Sequence, residues 1–356
     1  MSNKIKLSVV MPVYNGARYL RQTLESILKQ SFSDFELIVI NDASTDNSAE
    51  IVESYADSRI RIVNNSLNIG QTSSLNKGIR IANGEYIAIH DQDDVSALKR
   101  FEKQVIFLDS TPEIPLVGTN GRIIDSKGNV VATLQSPTSD LAIKWNFLFQ
   151  GPISHSSVMF RKKTIMDEFS GYNEEFKIVQ DFDLWTRILE KYALANLPER
   201  LLDLRVHPNS SSRLNNKRFS DEAFSIYRRY HKTVFGKGPT PDMFELFTTF
   251  SVGLQKTDPL RSRVCLMKTW DEFVSLYPGA DENMEIRRSI SGLLYKIACL
   301  GYRERLASYA TYRLAMSFST RDLGYLKLLK LLLLYMGFSK LREILRSMRL
   351  WKQSNI

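Results

Sequence analysis

The chain has 356 residues, 43% of them hydrophobic and 24% charged, with a formal net charge of +9. That is enough for two domains of ordinary size, and the balance is that of a globular protein, which excludes a low-complexity or collagen-like chain. Cys265 and Cys299 lie too far apart in sequence for a metal-binding spacing, so a reducing compartment is the default. Residues 1–6 are polar and the apolar run after them is strand-like, so no signal peptide is expected; the longest apolar run, residues 331–338, is too short to span a bilayer. The charge is uneven, with about 24 basic and 26 acidic side chains in residues 1–214 and about 24 and 13 in residues 215–356. A near-neutral half of catalytic type is thus followed by a basic half suited to something anionic, a membrane surface or a nucleic acid.

In chain order, residues 7–12 predict a strand ending at a proline, and Leu20, Leu24, Ile27 and Leu28 recur at helical spacing across residues 18–30. Residues 35–40 are a nearly continuous apolar run, as in a strand buried on both faces. Ser44 or Thr45 can cap a following helix with Ile51, Val52 and Tyr55 inward. Strands over 59–63 and 85–89 flank a helix over 72–82. Strands alternating with helices at this spacing mean a parallel sheet with right-handed crossovers. The pattern then changes: a helix over 98–108, a strand over 115–119, a hairpin over 122–133, a strand over 156–160, a helix over 182–192 and a strand over 201–206. Residues 207–217, rich in Ser and Asn, read as a linker, and beyond them the signals are mostly helical.

The strand at 85–89 stops on Asp91-Gln92-Asp93-Asp94, three carboxylates within four residues. Like charges this close repel, and a divalent cation with oxygen ligands, Mg²⁺ or Mn²⁺, relieves that. If strand geometry persists, Asp91 and Asp93 point the same way. The alternative is an acidic turn in which Asp93 or Asp94 caps the next helix. Tyr14-Asn15 and Asn41-Asp42 close the first two strands, and in an open α/β sheet such ends sit side by side and bind ligands. A tyrosine face for a base, a carboxylate for an imide N–H and a cation for a diphosphate describe a nucleoside-diphosphate site. Asp42 is equally a turn former before a helix. No glycine-rich phosphate loop follows the first strand.

The ordered set Val10-Met11-Pro12-Val13-Tyr14-Asn15-Gly16, Asn41-Asp42-Ala43-Ser44-Thr45-Asp46, Leu75-Asn76-Lys77-Gly78, Gly84-Glu85-Tyr86-Ile87 and Asp91-Gln92-Asp93-Asp94 resembles the motifs of family 2 glycosyltransferases. The likeness continues through His155-Ser156-Ser157, Gly171-Tyr172, Gln180-Asp181-Phe182-Asp183-Leu184-Trp185 and Arg205-Val206-His207. It implies an α/β fold of GT-A type, a Rossmann-like, mostly parallel sheet with flanking helices, and an inverting enzyme that uses a nucleotide-activated sugar. By position, Pro12, Tyr14, Asp42, Asn76 and Asp91 resemble donor-binding residues, and Asp93 resembles the principal metal ligand, for Mn²⁺ or Mg²⁺. His207 matches a histidine that approaches the metal in some members, though it can equally be a solvated loop residue. Asp181 resembles the catalytic base that takes the proton from an acceptor hydroxyl, favoured in its charged form by a helix N-terminus. His155 and Trp185 fall on the acceptor side, His155 alternatively just starting a core strand.

Gln180 stands where the family commonly has glutamate, leaving one carboxylate in that pair. The processive members' Gln-x-x-Arg-Trp motif is absent, which implies one sugar transferred per encounter. The expected organisation is a catalytic domain over 1–213 and a helical, basic region over 214–356. Within the latter, Leu341, Ile344, Leu345, Met348 and Trp351 share one helical face and basic residues fill much of the rest. That is either core packing or an in-plane helix on anionic lipid at the cytoplasmic membrane face. The expected partners are a nucleoside-diphosphate sugar, UDP-linked first, and a glycan or polyprenyl-linked acceptor, with no nucleic acid. The rival classes are a non-catalytic nucleotide-sugar-binding scaffold of the same fold and a nucleotidyltransferase.

Overall fold

The structure is a computed structural model that describes residues 5–208, 216–251 and 258–300. Its first strands are the continuous apolar runs. β1 (Leu7–Val13), β2 (Phe35–Asn41) and β4 (Tyr86–Ile89) are buried along their whole length, as strands covered by helices on both faces must be. β3 (Ile60–Asn64) is the half-exposed edge. All four run parallel in the order β3-β2-β1-β4. The crossovers are α1 (Ala17–Leu28), α2 (Ser48–Glu53) and α3 (Gln71–Ile81), the first burying Leu20, Leu24 and Ile27 at helical spacing. Each such side chain contributes about 1.5–3 kcal/mol when taken from water. α3 lies close on the sheet at Gly78, where a Cβ would sit 2.5 Å from Val10 Cγ1.

Beyond β4 the sheet becomes mixed. β5 (Val95–Ser96) and α4 (Arg100–Ser110) lead into β6 (Leu116–Ile124) and β7 (Val130–Leu134), an antiparallel hairpin. β8 (Met159–Arg161) runs antiparallel to both β4 and β6 and joins the two halves. β9 (Ala195–Arg205) lies parallel to β6 and antiparallel to β5. The expected parallel sheet therefore holds for its first half, and one mixed sheet carries both.

Several local expectations change. The second helix starts at Ser48, with Asn47 at its N-cap, because Ser44 and Thr45 are engaged by Asn15 in the neighbouring loop. The helix after the acidic loop starts at Arg100 with Lys99 at its N-cap, so neither Asp93 nor Asp94 caps it. Residues His155–Ser157 form a 3₁₀ turn and only Met159–Arg161 pair as strand. The structure adds two helices to those the sequence predicts: α5 (Asp140–Phe147), which buries Trp145 completely, and α6 (Lys162–Phe169). α7 (Gln180–Leu189) turns Leu184, Trp185, Ile188 and Leu189 inward.

One compact unit ends at Gly238 and another begins at Pro239. α8 (Asn216–Phe235) thus belongs with the sheet, beyond the boundary near 213 drawn from composition. The second unit contains α9 (Pro241–Ser251), α10 (Pro259–Leu276), capped by Asp258 on the amides of Leu260 and Arg261, and α11 (Met284–Leu300). Among the described residues no helix is long and apolar enough to cross a membrane. The basic amphipathic stretch over 339–352 lies outside the described residues.

Candidate active site

The C-terminal ends of β1, β2 and β4 converge, and their loops are laced together. Asn15 and Ala43, just past β1 and β2, hold left-handed backbone with φ of 50° and 58°. Asn tolerates this conformation and Ala does so at a cost, which marks a loop held in place by its surroundings. Asn15 Oδ1 accepts the Thr45 amide at 2.8 Å, while the amides of Asn15, Gly16 and Ala17 donate to Ser44, Ser48 and Asp46. The amides leading into α1 are thus met by side chains from the loop after β2 and the start of α2. Gln92 does the same across β1 and β4: Tyr14 N donates to its Oε1 at 2.9 Å and its Nε2 donates to Tyr14 O at 3.1 Å. The Tyr14 side chain is left 46% exposed at the rim, free to face a ring. Pro12 is buried beneath it in β1, opposite Ile40.

Asp42 is almost wholly buried. Its Oδ1 accepts from Asn65 Nδ2 and Ile69 N, and its Oδ2 from Gly70 N at 2.8 Å. It therefore orders the loop leading into α3 and does not cap α2. A carboxylate has about four lone-pair sites, so one direction on Oδ2 remains for a ligand N–H.

The three acidic residues after β4 diverge to three different partners, because the strand ends at Ile89 and a turn follows. Asp91 Oδ1 accepts from Gln71 Nε2 at 3.2 Å and faces His155 Nδ1 at 3.5 Å. Burial alone would raise its pKa, but the charge and hydrogen bond of His155, with Arg100 behind, hold it below the ordinary carboxylate value. Asp93 Oδ2 lies 2.8 Å from His207 Nε2, and burial with the neighbouring Asp91 charge pushes its pKa up. Asp94 is buried; it accepts from Ser156 Oγ and, at 2.8 Å, from Arg205 N, and burial with the charges of Asp91 and Asp93 raises its pKa strongly. Asp94 is thus a brace between the acidic loop, the 3₁₀ turn and the end of β9.

Beneath this loop lies a polar chain the sequence reading did not single out. Arg100 is fully buried and donates to Ser96 Oγ, Ile89 O and Val158 O, with its Nε on Gln104. Ser96 Oγ is 3.0 Å from His90 Nε2, and His90 Nδ1 is 2.8 Å from Asp91 O. A carbonyl only accepts, so Nδ1 carries the proton and Nε2 accepts from Ser96. Burial and the nearby Arg100 push the His90 pKa down to about 3, which keeps the ring neutral. Arg205, buried at the end of β9, donates to Asp93 O, Asp125 O and Gln22, with its guanidinium 4.6 Å from the Tyr19 ring. Neither arginine stands out in the sequence, since Arg100 lies between Lys99 and Glu102 and Arg205 two residues after Asp203.

On the far side, His155 stands between carboxylates. Its Nε2 is 3.3 Å from Tyr172 OH, and the charges of Asp91 and Asp181 raise its pKa against the opposing effect of burial. Asp181, in the first turn of α7, accepts its neighbour's amide, Phe182 N, at 2.8 Å. Burial raises its pKa, with His155 pulling it back. Gln180, beside it, is buried, and its Oε1 has no hydrogen-bond partner among the described residues.

Two expected site residues lie behind the surface. Asn76, expected to bind donor, donates to Tyr172 O and Glu174 Oε1 and accepts from Tyr172 N, which leaves it no free N–H. Trp185, expected on the acceptor side, is 1% exposed, its ring against that of Tyr172 with centroids 6.0 Å apart. Both support Tyr172 and the loop around it.

Among the described residues no three His, Cys, Asp or Glu side chains form a ready metal cage. Asp93 and His207 offer one carboxylate and one imidazole facing each other. That set fits a divalent cation whose other ligands are phosphate oxygens and water.

Residues 8–167 match Glycosyl transferase family 2. An uncharacterized glycosyltransferase of Haemophilus influenzae is 30% identical over 241 residues, 64% of this chain and 74% of that protein. The O-antigen biosynthesis glycosyltransferase WbnJ of Escherichia coli is 34% identical over 217 residues, 58% of this chain and 82% of its own length. Among solved structures, residues 1–349 of S. aureus TarS in complex with UDP superpose with a TM-score of 0.52 at 18% identity, covering 88% of this chain and 90% of that one. The mannosyltransferase PcManGT from Pyrobaculum calidifontis, in complex with GDP-Man and Mn²⁺, gives 0.51 at 18% identity, covering 90% and 88%. At that identity the likeness is one of fold.

Proposed function

The chain belongs to glycosyl transferase family 2, and on that premise we propose that it is an inverting enzyme moving one sugar from a nucleoside-diphosphate sugar, UDP-linked in the first instance, to a hydroxyl of a glycan or polyprenyl-linked acceptor. The observation that supports this most is His155, whose Nδ1 faces Asp91 at 3.5 Å and whose pKa the charges of Asp91, past the end of β4, and Asp181, at the start of α7, both raise. It ties the carboxylate loop suited to the donor to the carboxylate suited to the acceptor. Tyr14 and the free lone pair of Asp42 would receive the base, and Pro12 underlies them. Asp91 would meet the ribose or diphosphate.

Asp93 and His207 would hold Mn²⁺ or Mg²⁺, which when bound supplies positive charge where the nucleotide departs. Asp181 is the proposed general base. Its carboxylate takes the acceptor's proton as the acceptor oxygen bonds to the anomeric carbon and the bond from that carbon to the phosphate oxygen breaks. One displacement inverts the anomeric configuration. Burial makes Asp181 more basic than a free carboxylate, and the charge of His155 opposes that rise. Trp185 and Asn76 act through Tyr172, which is held against His155.

The O-antigen relative supports polysaccharide assembly as the setting, and the basic stretch over 339–352 supports an anionic cytoplasmic membrane surface as the place where acceptor is met. Incubating the full chain with UDP-, GDP- and dTDP-sugars and a polyprenyl-linked glycan, then reading product mass and anomeric configuration, tests the reaction. Retention of configuration, or no transfer from any of these donors, defeats it. Sedimentation with anionic liposomes, weakened by salt, tests the surface.

A further inference from the structure

α8 lies outside the family match at 8–167, and it grips the helix of the proposed base at two points. The first is Glu222. Its side chain is 11% exposed, and its carboxylate accepts the amides of Lys177 at 3.1 Å, Ile178 at 3.0 Å and Val179 at 3.4 Å. Val179 is the N-cap residue of α7, and no side chain of its own caps that helix. A helix start leaves amides unmet, and here the three just before it are gathered by a carboxylate from another helix. Arg218, one turn earlier on α8, donates to Glu222 Oε1 at 2.8 Å and fixes its orientation.

The second point is Arg229. It donates to Asp183 Oδ1 at 2.7 Å and to Thr186 Oγ1 at 2.9 Å, both on α7. Asp183 is fully buried, and Arg187 takes its other oxygen at 2.9 Å while also donating to Phe169 O and Gly171 O. The loop between α6 and α7 is stitched on its opposite side to α3, by Thr72 to Phe176 O, Ser73 to Glu174 and Asn76 to Tyr172. Asp181 therefore rides on a helix whose entry and second turn are both set by α8, while Tyr172 is set by α3.

We infer that Glu222 is a positioning residue for the transfer reaction: by collecting the amides of 177–179 it fixes the start of α7, and with it the aim of Asp181 at the acceptor oxygen. This rests on the reading of Asp181 as the base. Glu222 lies outside the residues that would meet donor, so its loss acts on the chemical step. A small misplacement of a reacting group costs about 10²-fold in rate.

The test uses Glu222→Ala and Glu222→Gln in the full chain. In Glu222→Ala, kcat falls about 10²-fold while the donor KM is unchanged, and amide hydrogen exchange speeds up at 177–179. Glu222→Gln, whose amide oxygen still accepts from these amides, gives a smaller loss in both readouts. Rates are normalised to the fraction of molecules that bind UDP, so unfolded protein does not count as a slow enzyme. Parental kcat with parental exchange at 177–179 overturns the inference, as does a loss of kcat matched by a rise in donor KM. A parent chain that transfers no sugar, or an Asp181→Asn variant that transfers normally, defeats the catalytic reading instead. The exchange result at 177–179 then still reports whether Glu222 holds the loop.

Discussion

The two halves of the sheet are built on different terms. In the parallel half, β1, β2 and β4 bring Tyr14, Asp42 and Asp91–Asp94 together by simple adjacency, and each lies in the turn that ends a buried strand. In the mixed half, His155, Asp181 and Arg205 come from a 3₁₀ turn, a helix start and a strand end, and the segments that carry them are held by contacts distant in sequence. Arg205 N reaches Asp94 across 111 residues and Tyr172 N reaches Asn76 across 96. The first half is a frame whose edge gathers polar side chains. The second is an assembly in which nearly every functional group needs a brace. If the proposed reaction is right, substitutions in the two halves should fail differently, those in the parallel half through donor and cation binding and those in the mixed half through the rate of the chemical step.

The largest expected effect is at the junction of the halves. Asp93→Ala removes one of the two proposed cation ligands and leaves His207 without its carboxylate partner; transfer should fall to background, and EDTA should do the same to the parent until Mn²⁺ or Mg²⁺ is restored. Full activity in chelator would break the metal assignment. Next is Asp181→Asn, nearly isosteric but unable to take a proton. We expect kcat to fall roughly 10²–10⁴-fold with UDP affinity by calorimetry unchanged. A parallel loss of affinity would move Asp181 to the donor side of the comparison.

A purely structural change should mark the parallel half. Gly78→Val puts a branched side chain where Val10 Cγ1 already stands 2.5 Å from a Cβ. Lifting α3 off β1 should cost about 1–3 kcal/mol in urea unfolding, with little change in kcat per folded molecule.

The smallest effect expected is in pH dependence. Asp181 has a raised pKa, so the ionised base is lost as pH falls through a value above the ordinary carboxylate range, and that sets the acid limb of kcat. The attraction of His155 works against this rise. The His155 pKa is itself raised, so its charge is fully present at low pH and fades as pH climbs through that value. His155→Gln should therefore move the acid limb to higher pH with a modest loss of kcat at the plateau. An unmoved limb would separate His155 from the base.

The sequence alone determined the parallel frame and the acidic loop, because both are local. A strand covered on both faces must be an apolar run, and the residue after the run must sit at the sheet's edge. The resemblance also led to Asp93 with His207 as a pair, which the structure brings to 2.8 Å. Only the tertiary structure decided the roles that depend on what a side chain touches. Asn76 matches a donor-site motif, yet its amide is saturated by Tyr172 and Glu174. Arg100 looks like an ordinary helix-start cation, yet it is buried beneath Asp91 and organises His90 and Ser96. α8 looks like the first helix of a separate basic region, yet Glu222 and Arg229 bind it to α7. The reason is the same each time. Periodicity reports which face of an element is apolar, but a buried polar group is set by the partner that satisfies it, and that partner can lie anywhere along the chain.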